Sequence, residues 1–211
     1  LRRRLATVAA VSATALALWL YLRQEKQRRY QARRREQLQA LAVGQGDFQL
    51  LDHTGRARRK ADFHGQWVLL YFGFTHCPDI CPEELEKLCR VVELLEEEQP
   101  ALPLVQPLFI TVDPERDDVA AMARYVRDFH PRLLGLTGSP EEVKKVGAAY
   151  RVYASAGPKD EEGGYAVDHT VIIYLLGPDG LFLDYYGRGR TDAQIAQSVR
   201  RHMDTYQPIQ L

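Results

Sequence analysis

Trp67-Val68-Leu69-Leu70-Tyr71-Phe72-Gly73-Phe74-Thr75-His76-Cys77-Pro78-Asp79-Ile80-Cys81-Pro82 runs an unbroken apolar stretch into two cysteines and a proline. The apolar part, Trp67–Phe72, has the pattern of a strand buried on both faces. Pro82–Glu98 then reads as a helix, because Leu85, Leu88, Cys89, Val92 and Leu95 recur at 3.6-residue spacing among Glu and Lys. Working outward, Pro107–Val112 is a second buried strand, Asp117–Phe129 a helix, Leu133–Leu136 a short strand and Glu141–Tyr150 a helix. Thr170–Leu176 and Leu181–Tyr186 flank the turn signal Gly177-Pro178-Asp179-Gly180 and should pair as an antiparallel hairpin. Thr191–Tyr206 closes the chain as a helix, and 47–52 with 56–60 open the body as a short hairpin. Residues 155–167 read as one long polar loop. Strands alternating with helices, then a hairpin, predict an α/β fold with a mixed central sheet flanked by helices.

The 211 residues allow one such domain, over 42–211, plus an appendage. The formal net charge is zero, but residues 1–35 carry +9 and the remainder −9. A basic head on an acidic body argues against nucleic acid, whose footprint would lie on the folded domain. Residues 5–22 are uncharged and rich in Ala, Leu and Val. As a helix they would extend ~27 Å, close to the ~30 Å hydrocarbon core of a bilayer. Trp19 and Tyr21 sit near one end, where aromatic belts occur. The reading is a basic flank at 1–4, a transmembrane helix at 5–22 and a basic helical stalk at 23–41. The run exceeds the ~7–15 apolar residues of a cleaved signal sequence. Charge alone would place the body on the cytoplasmic-type side.

Pro82 fits a first helical position, which makes Cys81 the cap and gives Glu84 the place of a capping-box acid. The helix dipole there predicts a lowered Cys81 pKa and a substantial thiolate. Cys77 and Cys81 could form a structural disulfide, exchange disulfides or bind a soft metal, and the four-residue separation permits all three. A metal needs a third ligand. Of six histidines, His169 in Asp168-His169-Thr170 is the choice, since a thioredoxin-like sheet would bring it opposite the cysteine loop. Asp168 is either an acceptor for its ring N–H or simply a loop carboxylate. His76 is expected to point away, and His53, His64, His130 and His202 to be solvated or structural. Two thiolates and an imidazole make a three-coordinate site suited to copper(I). Structural zinc usually takes four protein ligands. Cys89, on the apolar helix face, reads as core.

Tyr71–Pro82, then Thr111-Val112-Asp113-Pro114-Glu115-Arg116-Asp117, Gly135-Leu136-Thr137-Gly138-Ser139 and Val167-Asp168-His169-Thr170 together resemble the Sco family of mitochondrial copper chaperones for cytochrome c oxidase assembly. Within the family, the likeness is to the second vertebrate branch. The resemblance covers about residues 44–205 and takes in the anchor. It implies a thioredoxin-like domain in the intermembrane space, tethered to the inner membrane by a single pass. It implies copper, as copper(I) or copper(II), held by Cys77, Cys81 and His169 and delivered to the dinuclear copper centre of cytochrome c oxidase subunit II. It also implies Cys77 and Cys81 as a redox pair, with a sister Sco-type chaperone and an upstream copper donor chaperone as partners, membrane lipid around the anchor, and room for a homodimer. The competing enzyme reading is a thiol–disulfide oxidoreductase on the same two cysteines. A peroxiredoxin-type peroxidase fits less well: Phe74 stands three residues before Cys77, where that family has Thr.

Overall fold

The structure is a computed structural model that describes residues 12, 14–26, 28–29, 33, 36–37, 43–98, 104–158 and 165–206. Two compact units divide the chain, one holding the N-terminal residues to Leu41 and the other Ala42–Pro208. In the first, residues 14–26 are helical, and Leu16, Leu18, Trp19, Leu20, Tyr21 and Leu22 are all exposed. The Arg23 guanidinium lies over the Trp19 ring, 5.3 Å from its centroid. The flank expected at 1–4 lies outside the described residues, as do parts of the span at 5–22 and the stalk at 23–41. Among the described residues no helix is long and apolar enough to cross a membrane.

The second unit is built on β3 (Trp67–Gly73), whose seven residues are all buried. Its side chains alternate between two cores. Trp67, Leu69 and Tyr71 join one with Leu85, Leu88, Val92, Phe109, Met122 and Val199. Val68, Leu70 and Phe72 join the other with Leu108, Ile110, Leu136, Val143 and Tyr150. Helix α1 (Ile80–Glu98) links β3 to β4 (Val105–Thr111), and α2 (Val119–Val126) links β4 to β5 (Leu134–Thr137). These three strands are parallel, as such crossovers require. Helix α3 (Pro140–Ala149) follows β5. The N-terminal hairpin, β1 (Gln49–Asp52) and β2 (Ala57–Arg59), adds antiparallel to β5. The C-terminal hairpin, β8 (Ile172–Leu176) and β9 (Phe182–Gly187), adds antiparallel to β3. Its turn closes with Gly180 at φ +71° and the Gly180 N–H donating to the Gly177 carbonyl. Helix α4 (Asp192–Thr205) packs Ile195 and Val199 beside α1. The sheet order is β2-β1-β5-β4-β3-β8-β9: a mixed central sheet with helices on both faces, as the sequence predicts.

Two local expectations need correction. The helix begins at Ile80, so Cys81 lies inside its first turn rather than at its cap. The segment expected as a loop over 155–167 is bounded by strand: β6 (Ala154–Ala156) and β7 (Val167–His169) form a separate antiparallel ribbon. Every β6 residue is exposed, so no apolar alternation marks it.

Leu69 is wholly buried at the centre of β3. Leu69→Ala should cost about 2–5 kcal/mol, read as a lower urea midpoint at unchanged slope.

Candidate functional site

Parallel pairing sets Gly73, the last residue of β3, beside Thr111, the last of β4, and the Val112 N–H donates to the Gly73 carbonyl at 2.8 Å. Antiparallel β8 pairs Ile173 with Tyr71, which brings the chain just before β8 to that same end of the sheet. The cysteine loop, the loop after β4 and the ribbon carrying His169 therefore emerge together. This is the carboxyl end of the parallel strands, where open α/β sheets build their sites.

Cys81 is wholly buried. Its sulfur occupies space that any side chain at position 73 would fill: a Cβ there would stand 2.8 Å from Cys81 Sγ, 2.9 Å from Tyr71 Cε1 and 3.1 Å from Phe109 Cε2. The Tyr71 hydroxyl donates to Cys81 Sγ at 3.6 Å, and the Cys81 N–H donates to Cys77 Sγ at 3.4 Å. Burial pushes the Cys81 thiol up to about 12, against the opposing pull of hydrogen bonds from the Phe74 backbone and Tyr71. The expected lowering of the Cys81 pKa is not found: burial is the largest influence on this thiol and raises it. Cys77 is half-buried, and both sulfurs are free thiols.

His169 Nε2 stands 3.3 Å from Cys81 Sγ. Its Nδ1 lies 3.0 Å from the Thr170 carbonyl oxygen. A carbonyl only accepts, so Nδ1 carries the proton and the Nε2 lone pair faces the sulfur. This is the tautomer a metal ligand needs, with its outer nitrogen fixed by an acceptor. That acceptor is the Thr170 carbonyl rather than Asp168. Asp168 is exposed and acts on the ring through its charge. Burial holds the imidazole below its ordinary pKa, with the Thr170 contact and the Asp168 charge opposing. Phe74 and Tyr71 meet the ring edge-on, at centroid separations of 5.8 and 6.2 Å.

Among the described residues, no three His, Cys, Asp or Glu side chains stand close enough to hold an ion as they lie. Cys81 and His169 already face each other, whereas the Cys77 sulfur is engaged by the Cys81 N–H. Of the other histidines, His76 stays in the cysteine turn with Nδ1 3.1 Å from Thr75 Oγ1 and 3.4 Å from Asp117 Oδ1, and three sit elsewhere in the fold. His53 Nδ1 accepts from Gly135 N–H, His130 Nδ1 from Arg132 N–H, and His202 Nε2 lies 3.0 Å from Asp184. Cys89 is buried in the α1 core. A cavity of about 630 Å³ between α3 and the ribbon, lined by Val112, Val143, Val152, Tyr165 and Val167, contains neither cysteine nor His169.

The sequence model of the SCO1/SenC family matches residues 36–204. The chain belongs to the SCO1/SenC family. It is 66% identical over 209 residues to a protein of Bos taurus named SCO2 homolog, mitochondrial, a match covering 99% of this chain and 78% of that one. Yeast Sco1, solved with copper bound, superposes with a TM-score of 0.73 at 41% identity, over 79% of this chain and 91% of that one. Arabidopsis thaliana ScoI, also solved with copper bound, gives 0.72 at 42% identity, over 76% and 98%. These superpositions establish the thioredoxin-like fold.

Two parts of this SCO1/SenC site are not apparent from the cysteine motif. The buried Asp117 carboxylate accepts from Thr75 N–H at 2.9 Å, Thr75 Oγ1 at 2.5 Å and Thr111 Oγ1 at 2.6 Å. Arg116 pairs with Asp113 and lies over the Tyr165 ring at 3.6 Å, while its Nη1 donates to the Tyr165 carbonyl. The Tyr165 hydroxyl donates to Asp113 at 2.7 Å, so this cluster ties the chain leading into β7 to the loop after β4. The signal was the Thr111–Asp117 run, whose Asp113, Arg116 and Asp117 are spaced to reach both neighbours.

The thiolate is the reactive form, so raising pH should speed Cys81 alkylation in the metal-free protein. The rate should climb by about tenfold per unit beyond the ordinary thiol range near ~8.5, levelling only as the thiol titrates near about 12. Mass spectrometry of alkylated peptides reads this. A plateau for Cys81 near the ordinary thiol pKa would show that burial does not control it.

Proposed function

We propose that this chain is a copper metallochaperone that carries one copper(I) on Cys77, Cys81 and His169. The observation that carries the reading is the 3.3 Å approach of Cys81 Sγ to the unprotonated Nε2 of His169, whose proton sits on Nδ1, with Cys77 adjacent. Support comes from relatives of the same fold solved with copper bound. Copper here is cargo. Loading turns the half-buried Cys77 sulfur away from the Cys81 N–H and displaces the protons of both thiols, and the ion supplies the positive charge that buried sulfur anions lack. Three ligands leave room for a partner's sulfurs to enter, so copper leaves by stepwise ligand exchange. The recipient is the dinuclear copper site of cytochrome c oxidase subunit II. An upstream copper donor chaperone and a sister Sco-type chaperone are further partners. The place of action is the mitochondrial inner membrane, with the 5–22 segment as a single-pass anchor and the domain in the intermembrane space. Relatives named mitochondrial support the organelle.

A second activity uses the same sulfurs. Two free thiols four residues apart can reduce a partner disulfide. Cys77 and Cys81 lose two electrons and two protons and close a disulfide, and the partner gains two thiols. Metal-free protein that opens the recipient's copper-site disulfide no faster than glutathione would remove this activity and leave delivery standing.

Titrated anaerobically with copper(I), the chain should take up about one ion, consistent with a single soft thiolate site. His169→Ala should weaken binding, and Cys77→Ser with Cys81→Ser should abolish it. X-ray absorption should show sulfur and nitrogen scatterers in the loaded protein. Stoichiometric uptake by the double cysteine variant would refute the proposal.

A further inference from the structure

We propose that Asp117 is a positioning residue whose buried carboxylate holds the Thr75–Cys77 turn so that the Cys77 sulfur is presented to Cys81 and His169, a role that rests on the copper function above for only one of its two tests. The two cysteines differ in how they are placed. Cys81 is fixed by helix α1 and by the packing of Tyr71, Gly73 and Phe109 around its sulfur. Cys77 sits in the preceding turn, where its own N–H reaches only the Phe74 carbonyl, at 3.3 Å. The turn needs an external hold, and Asp117 supplies one. Oδ1 accepts from Thr75 Oγ1, and Oδ2 accepts from both Thr75 N–H and Thr111 Oγ1.

Asp117 is itself immobilised. Its N–H donates to the Asp113 carbonyl at 2.9 Å, and its carbonyl accepts from Thr137 Oγ1 at 2.7 Å, so the ends of β4 and β5 both anchor it. A helix-capping role does not account for the side chain, because α2 is capped by the next residue: Asp118 accepts from Ala121 N–H. The pull extends one residue further. Thr75 gives its single hydroxyl proton to Asp117, so His76 Nδ1, 3.1 Å from that hydroxyl, must be the donor to it. A wholly buried carboxylate is costly unless its oxygens are satisfied, and three of the donors here come from the cysteine turn and the strand beside it.

Asp52 is the natural control. It is equally buried, and it accepts from Thr54 and Arg58 in the remote β1–β2 hairpin. Two quantities are measured on full-length protein. One is copper(I) affinity by competition. The other, on metal-free protein, is the constant for Cys77–SH plus Cys81–SH plus glutathione disulfide giving the Cys77–Cys81 disulfide plus two glutathione thiols. Asp117→Asn should weaken copper binding by about 10–100-fold, as loss of an outer-shell orienting group does, and should move the glutathione constant by about tenfold. Asp52→Asn should lower the melting temperature and leave both at wild-type values. Thr75→Val, which deletes one of the three bonds, should shift both in the same direction by less, and it decides the matter if Asp117→Asn does not fold. Wild-type values in Asp117→Asn, or in Thr75→Val where only that variant folds, would overturn the inference. So would equal shifts in Asp117→Asn and Asp52→Asn. If the wild-type chain takes up no copper, the copper reading falls, and the glutathione constant alone decides for or against Asp117.

Discussion

A sulfur atom taken wholly out of water governs this architecture. Cys81 Sγ lies in the gap left by Gly73, against Tyr71 and opposite His169 Nε2. In that setting the proton stays on sulfur, because a bare thiolate would be an anion in an apolar pocket with one phenol and a few backbone dipoles for company. The neutral imidazole obeys the same rule, since burial disfavours its charged form. The site therefore holds two neutral groups: an imidazole whose Nε2 lone pair is already free, and a thiol that would have to lose its proton to bind a cation. A soft cation removes the thiol proton and replaces it with a charge that stays in place. Hard cations would gain little from sulfur and lose their water.

Convergence of these groups follows from strand direction. Parallel β3 and β4 end side by side, and antiparallel β8 starts where they end. One edge of the sheet then collects a loop from each. The cysteine turn and the loop after β4 are joined through Asp117, and the loop after β4 is joined to the chain before β7 through Asp113, Arg116 and Tyr165. The Asp113–Asp117 segment is thus a bracket between the sulfurs and the imidazole. It contributes neither sulfur nor imidazole, yet it touches the turn that carries Cys77 and the chain that leads into the His169 strand.

The sequence discloses most of this, and the exceptions share a cause. The order of strands and helices, the two-sided burial of β3 and the β8–β9 turn are all legible because each is written in local periodicity or turn chemistry. Cys77, Cys81 and His169 stand out in the sequence because so few residue types bind soft metals, and the structure brings Cys81 and His169 within 3.3 Å of each other. Three features resist. The state of Cys81 depends on how much sheet and helix close over it, and local sequence reports the helix entrance but not the burial that raises the thiol pKa. The β6–β7 ribbon is exposed and carries Ala154, Ser155 and Ala156, so no hydrophobic alternation announces it. The partner of His169 is a backbone carbonyl, which every residue has, so Asp168 is the tempting choice from sequence and Thr170 the one geometry selects.

The difference between the two cysteines bears on how a tightly held ion can be given away. A site whose ligands were all locked in the core would bind well and release slowly. Here Cys81 is locked and Cys77 is not: one sits inside the first turn of α1, and the other lies half-buried in the turn before it. On the proposed copper function, a partner thiolate would reach the ion most readily where Cys77 meets solvent, so ligand exchange would begin at Cys77 and end at Cys81. The same asymmetry orders disulfide chemistry, with the accessible sulfur meeting the partner and the buried one closing the bond behind it. The two proposed activities, transfer of copper and transfer of electrons, would therefore use one geometry, and whether a disulfide or an ion joined the sulfurs would decide which of the two proceeds.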